Sequence, residues 1–336
     1  MIRECLLSIC VPTFLGAAYL RELLSNLALQ DRIDDVEIVI SDNASPDNTT
    51  ETVSAFRNSF KRLLYLRNEH NLGFRENLIS SVRQASGEYI WLFGDDDAPR
   101  PGAIAYALAL IDALHPDVIN SQRISCDALL RPYFRGPKIV IEGRSNPPAS
   151  EDSLQLHKFS EDQLLLNYLR GNTSPGHLGL LVFISTLIFR RSAWSHRYFN
   201  YPSLAFEVYP HVIKLFESLL IRGGTLVTTG AALVLARNWA LRPAPDGSPQ
   251  SRYAQSEMAR SVFDSFAHYH RDLKCFVDIA NYFFPGEEDC RMAFLTSSRS
   301  LLEIGNNFDQ YVNIASHRGV RDEALNLGRF IFANRN

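Results

Sequence analysis

The sequence predicts an α/β fold, a mostly parallel sheet flanked by helices, and three observations carry that prediction. Short apolar runs alternate with amphipathic segments through the first hundred residues. Polar clusters follow three of those runs, where open parallel sheets place their ligands. The 336 residues are 46% hydrophobic and 21% charged, enough apolar material to cover both faces of such a sheet.

Leu6-Leu7-Ser8-Ile9-Cys10-Val11, ended by Pro12, has the length and apolarity of a buried strand. Leu20, Leu23, Leu24 and Leu27 then recur at helical spacing. A second strand, Val36-Glu37-Ile38-Val39-Ile40, runs into Ser41-Asp42-Asn43, and Ser45-Pro46-Asp47 has the cap and proline of a helix opening. Leu63-Leu64-Tyr65-Leu66 is a third strand, and a third helix runs from about residue 71 to 85, closed by Gly87. The fourth strand, 88–93, ends at Gly94 and three aspartates, and Pro101 opens a helix reaching residue 114.

Beyond this half the pattern predicts a short strand at 118–120, a loop over 131–150 and a helix over 151–172. Strands follow at 180–189 and 226–236, with a helix at 210–220 between them. The breaker Pro243-Ala244-Pro245-Asp246-Gly247-Ser248-Pro249 predicts a boundary. It separates a domain over 1–242, with halves 1–115 and 116–242, from a helical region over 250–336 broken at Pro285-Gly286 and near Gly305.

The net charge of −3 argues against nucleic acid as a main partner. Five scattered cysteines without a CxxC pair read as free thiols of a reducing compartment. The N-terminus lacks a signal peptide's pattern, and no stretch reaches the roughly 18 apolar residues that span a bilayer. The expectation is a cytoplasmic protein able to sit at the inner face of a membrane.

Asp95-Asp96-Asp97 is the strongest chemical signal. Three carboxylates after a buried strand repel unless a cation or hydrogen-bond donors offset them. Two readings are open: a site for a hard divalent cation gripping a diphosphate, or a solvated acidic turn capping the next helix. Asp42 is equally open, as a ribose or base acceptor or as an ordinary turn residue.

Four blocks, in this order and spacing, resemble the family-2-type glycosyltransferases of GT-A fold. They are Ser8-Ile9-Cys10-Val11-Pro12-Thr13-Phe14 and Glu37-Ile38-Val39-Ile40-Ser41-Asp42-Asn43-Ala44-Ser45-Pro46-Asp47. Asn68-Glu69-His70-Asn71-Leu72-Gly73-Phe74-Arg75-Glu76-Asn77 and Gly87-Glu88-Tyr89-Ile90-Trp91-Leu92-Phe93-Gly94-Asp95-Asp96-Asp97 complete the set. The resemblance implies a Rossmann-like GT-A sheet with a helical C-terminal extension. It implies Pro12, Thr13 and Asp42 in the nucleotide pocket, with Asn71, Gly73, Arg75 and Asn77 beside the base and diphosphate. It puts Asp95 and Asp96 on the donor, and Asp96 and Asp97 on Mn²⁺ or Mg²⁺. The acidic motif here is Asp-Asp-Asp after a glycine, where the family more often has Asp-x-Asp-Asp.

The segment from Phe183 to Trp194 is similar to one in bacterial sugar-polymer transferases, including the abequosyltransferase-like group. Many inverting relatives carry a Glu-Asp pair soon after, and this chain has Ala205-Phe206-Glu207-Val208-Tyr209-Pro210-His211. Glu207 and His211 are therefore the candidates for the acceptor's base, with His211 alternatively a late metal ligand, and both alternatively structural. His177 admits an acceptor contact or a plain loop position, Trp194 and Trp239 a sugar-stacking or a packing role, and Arg237 and Arg242 a reach to the diphosphate or a surface role. Phe263, Phe266, Tyr269 and Phe276 read as a helix-packing stripe, or as a face for membrane or a second copy.

The function so predicted is inverting hexosyl or deoxyhexosyl transfer in bacterial surface polysaccharide (O-antigen-like) synthesis. The donor is a nucleotide diphosphate sugar, and the acceptor a hydroxyl of a glycan or lipid-linked saccharide. An inactive binding module and a nucleotidyltransferase are the alternatives. The loop after the first strand has no lysine, which disfavours the latter.

Overall fold

The computed structural model describes residues 5–126, 129–132, 154–158, 179–194, 201–237, 265–298 and 322. Among these residues the sheet has nine strands: β1 (Leu7–Thr13), β2 (Val36–Asp42), β3 (Leu63–Arg67), β4 (Tyr89–Leu92), β5 (Ala98–Pro99), β6 (Val118–Cys126), β7 (Leu154–Lys158), β8 (Leu187–Arg190) and β9 (Thr225–Arg237). The order is β3-β2-β1-β4-β8-β6-β9-β5, with β7 also on β9. The strands β3, β2, β1 and β4 are mutually parallel. β8 lies antiparallel between β4 and β6, so β6 and its parallel neighbour β9 run with the first four. The carboxyl ends of β1, β2, β3, β4, β6 and β9 thus share one edge, the expected ligand edge.

Helices α1 (Ala17–Ala28), α2 (Thr49–Ala55), α3 (Gly73–Gln84) and α4 (Ala103–Leu114) fall within the segments expected as helix. They are followed by α5 (Ser203–Val208), α6 (Pro210–Phe216), α7 (Ser265–Phe283) and α8 (Glu288–Ser298). Alternation along the strands divides the core. Leu7, Ile9, Val11, Trp91 and Phe93 join Leu20, Leu24, Ile104 and Leu108 of α1 and α4 on one face. Cys10, Ile90 and Leu92 join Leu78, Val212, Phe216 and Phe276 on the other. Phe276 is thus packing, continuous with the sheet domain, while Phe263, with the side chains of Phe266 and Tyr269, lies outside the described residues.

Several expectations are corrected. The apolar run at 180–189 is not one strand: 3₁₀ turns at Gly179–Val182 and Ile184–Thr186 precede β8. Thr186 closes the second turn by bonding the Phe183 carbonyl through both its backbone N–H (3.1 Å) and its hydroxyl (2.8 Å). Leu154–Lys158, expected as helix, is a strand on β9. The strand expected at 118–120 extends to Cys126, with register shifts at Gln122. α2 opens at Thr49, later than expected, because Ser45 and Asp47 turn back to the first loop instead. There Ser45 Oγ accepts from the Leu15 N–H (3.0 Å) and Asp47 Oδ2 from the Ala17 N–H (3.0 Å). α4 likewise opens at Ala103, after Gly102 at φ +79°. The boundary at 243–249 and most of the expected helical C-terminal region lie outside the described residues. Among those described, no helix is long and apolar enough to cross a membrane.

Candidate active site

Thr13, Asp42 and Arg67 end β1, β2 and β3 in register, so the ladder itself sets them side by side. Asp42 is fully buried. Its Oδ1 accepts from the Ser45 N–H (2.9 Å), and its Oδ2 from the Tyr65 hydroxyl (2.7 Å) and the Arg67 guanidinium (3.2 Å). A buried carboxylate is tolerable with such partners and costly without them. Pro12 is buried beside Thr13 in the same strand end.

The acidic turn sits against this floor. The Thr13 hydroxyl donates to Asp95 Oδ2 at 2.6 Å, deep in the fold. Gly16 lets the first loop lie on that pair: a Cβ there would meet Asp95 Oδ2 at 2.3 Å and Thr13 Oγ1 at 2.6 Å. Asp97 is buried, its Oδ2 accepting from the Ser185 hydroxyl (2.5 Å) and its Oδ1 from the Arg237 N–H (3.0 Å). Burial, then the charge of Asp96, pushes the Asp97 carboxyl up to about 8. Asp96 is the half-exposed member of the three. Asp96 Oδ1 and Asp97 Oδ2 both face the space beside the Gly94 Cα, 3.0 and 3.2 Å from where a Cβ would stand.

That arrangement fits a hard divalent cation. Two neighbouring carboxylates raise each other's cost of ionisation, and a cation removes it. Among the described residues no three His, Cys, Asp or Glu side chains form a ready-made cage. Mg²⁺ and Mn²⁺ sites built from one or two carboxylates plus substrate phosphates need none.

Asn71 and Gly73 are exposed at the mouth of α3. Asn71 Oδ1 accepts from Asn43 Nδ2 (2.7 Å) and from the Gly73 N–H (2.9 Å), which fixes this loop to the end of β2. Asn77, the fourth residue expected beside the base and diphosphate, lies beneath the surface. It is buried, donating to the Thr13 and Ser41 carbonyls and accepting from Ser41 and Asn68. With both ends of its amide engaged, it is a strut beneath the pocket.

Arg75 and Glu207 meet in an ion pair that joins α3 to α5. The Arg75 guanidinium also lies 5.4 Å from the Phe206 ring centroid and pairs with Glu76 at 2.8 Å. Glu207 is exposed. His211 lies in a different setting, buried in α6 with Nε2 2.9 Å from the Val182 carbonyl. The carbonyl can only accept, so Nε2 carries the proton, and the bare Nδ1 is buried with no hydrogen-bond partner among the described residues. Burial pulls this imidazole down to about 4.

A pH effect follows. An unfolded histidine takes its proton near 6.5, the folded one only near 4, so the unfolded state binds more protons between those values. The stability present above pH 6.5 is lost as pH falls towards 4, by up to about 3 kcal/mol. His211→Leu should flatten the fall in melting temperature over that window; an unchanged slope would place the acid sensitivity elsewhere.

The model of glycosyl transferase family 2 matches residues 8–195, more than half of the chain and all of the sheet edge just described except Arg237. The chain belongs to glycosyl transferase family 2. This family-2 glycosyltransferase is 26% identical to the abequosyltransferase RfbV of Salmonella typhimurium, over 98% of this chain and 96% of that one. It is 29% identical to the GalNAc(5)-diNAcBac-PP-undecaprenol beta-1,3-glucosyltransferase of Campylobacter jejuni, over 39% of this chain and 42% of that one. Its fold is similar to that of TarS residues 1–349 of Staphylococcus aureus, solved with UDP-GlcNAc. The TM-score is 0.61 at 17% identity, covering 97% of this chain and 81% of that one. The GT-A fold expected from the four sequence blocks is therefore the fold of this glycosyltransferase.

The family-2 site also contains residues that the sequence reading passed over. Arg123, stacked 4.0 Å from the Phe183 ring centroid, acts on Asp97 by its charge. Ser185 receives the Gly94 N–H (2.9 Å) and holds Asp97. Neither has a local sequence signal, because both reach the turn through the antiparallel insertion of β8 between β4 and β6. Trp194 is buried and stacked on Phe189, which decides for packing. His177, Trp239 and Arg242 lie outside the described residues.

Proposed function

We propose that this glycosyltransferase moves a hexosyl or deoxyhexosyl group from a nucleotide diphosphate sugar to a hydroxyl of a glycan or lipid-linked saccharide. The reaction inverts the anomeric centre and serves a bacterial surface polysaccharide, at the cytoplasmic face of the membrane. One observation carries this reading: Thr13, Asp42 and the Asp95–Asp97 turn converge on one edge of the sheet. The whole-length likeness to an abequosyltransferase supports it.

In this reading Asp42 with Arg67 and the first loop flank the nucleoside, and Arg75 at the start of α3 faces the diphosphate. Asp96 and Asp97 would hold Mn²⁺ or Mg²⁺, which when bound would neutralise charge on the departing nucleoside diphosphate. Glu207 accepts the acceptor's proton as its oxygen bonds to the anomeric carbon and the sugar–phosphate bond breaks. His211 is the weaker candidate, because its protonated nitrogen is committed to Val182 and the imidazole is sealed from solvent.

Thermal-shift measurements against UDP-, GDP-, CDP- and dTDP-sugars, with and without Mn²⁺, test the reading. One nucleotide class should stabilise the protein, and only with metal. Stabilisation that ignores metal would remove the assigned role of the aspartates. Nucleoside triphosphates outperforming every nucleotide sugar would point to nucleotidyl transfer instead.

A further inference from the structure

Arg237 is the last residue of β9 and arrives at the ligand edge from the far side of the sheet. Its side chain is only 2% exposed. The backbone N–H donates to Asp97 Oδ1 (3.0 Å), and Nε donates to the Asp96 carbonyl (2.8 Å). Nη2 donates to Glu22 Oε2 on α1 (2.6 Å), and the guanidinium lies 5.1 Å from the Tyr19 ring centroid. One residue thus grips the acidic turn by a side chain and by a main-chain carbonyl, and is itself held by α1.

The physical need is plain. When both are ionised Asp96 and Asp97 repel, and the loop carrying them can relieve that repulsion by rotating the peptide between them. The Nε bond to the Asp96 carbonyl sets the plane of that peptide, and so the direction in which the Asp96 side chain leaves the backbone. A planar guanidinium serves the carbonyl, the glutamate and the aromatic face from separate donors held in a rigid fork, where an ammonium offers a single point charge.

We infer that Arg237 is a positioning residue for the donor site, fixing the Asp96–Asp97 turn in the geometry that takes a metal–nucleotide diphosphate, with Glu22 and Tyr19 as its support. The inference rests on the donor role proposed above for that turn. Arg237 itself touches neither sugar nor acceptor in this account.

The test is calorimetric titration of UDP, GDP, CDP and dTDP into the full chain at stepped Mn²⁺ concentrations, with melting temperatures taken in parallel. The wild type should bind one diphosphate. Arg237→Gln should raise the Mn²⁺ needed for half-maximal binding by about tenfold or more, the scale of a lost charge-assisted hydrogen bond. Arg237→Lys should not rescue it. Glu22→Ala, at a partly exposed position, should raise the requirement by about two- to fivefold with little change in melting temperature.

A residue that only ties β9 to α1 would lower melting temperature and active fraction alike, leaving the Mn²⁺ requirement of the folded protein unchanged. That result would overturn the inference. Should the Arg237 variants fail to fold, Glu22→Ala decides, and an unchanged requirement overturns it again. If the wild type binds none of the four diphosphates, the donor reading falls and takes this inference with it. A wild type that binds, beside variants that match it, sinks the inference alone.

Discussion

Asp96→Ala should abolish Mn²⁺-dependent stabilisation by the nucleotide sugar while leaving the melting temperature of the ligand-free protein unchanged or slightly higher. The expected asymmetry comes from where the three aspartates sit. Asp95 and Asp97 are buried and bonded to Thr13, Ser185 and the Arg237 N–H, so replacing either one breaks the fold locally. Asp96 is half-exposed, and its main-chain carbonyl, not its carboxylate, is what Arg237 Nε binds. Alanine therefore keeps the turn's backbone anchor and removes the carboxylate that disfavours ionisation of Asp97. That removal relieves Asp97, whose carboxyl Asp96 helps to push up. Sugar transfer should fall by about 10³-fold or more, the scale on which removing charge stabilisation from a leaving group acts. Donor hydrolysis at the wild-type rate by the alanine variant would end the assignment of Asp96.

Glu207→Gln should lower kcat by about 10²- to 10⁴-fold with little change in donor affinity, the range for loss of a general base. The glutamine is isosteric, and the partner Arg75 lies in a partly solvated ion pair, so stability should move by less than about 1 kcal/mol. The same pair supplies the competing account. If Glu207 serves only to hold Arg75 against the diphosphate, the substitution raises the donor KM and leaves kcat near wild type. Steady-state kinetics with donor and acceptor varied separately distinguishes the two, and a pure KM effect would retire Glu207 as base.

The sheet's first half was legible because its signals are local. Leu20, Leu23, Leu24 and Leu27 declare a helix face by their spacing, and all four are buried. Ser45 and Asp47 misled for a related reason: cap residues satisfy whichever N–H groups lie near, and here those belong to Leu15 and Ala17. Ser185 sat in a run that reads as one apolar strand, although its hydroxyl holds Asp97 from 88 residues away. Arg75 and Glu207 were each singled out, but nothing at a separation of 132 residues announces that they meet.

Local sequence signals were enough for the alternation of strands and helices, the edge at which Thr13, Asp42 and the aspartates gather, and the resemblance to family-2 enzymes. These follow from periodicity, from strand ends and from contiguous blocks, all properties of neighbours along the chain. Long-range packing was needed to show which carboxylates are buried and which one faces outward, that Asn77 is a strut, that His211 is sealed in the core and that Arg237 grips the acidic turn. Burial and hydrogen-bond partnership are set by segments remote in sequence, brought together when β8 and β9 close the far half of the sheet. They fix the electrostatic cost of each charge, which residue type alone does not.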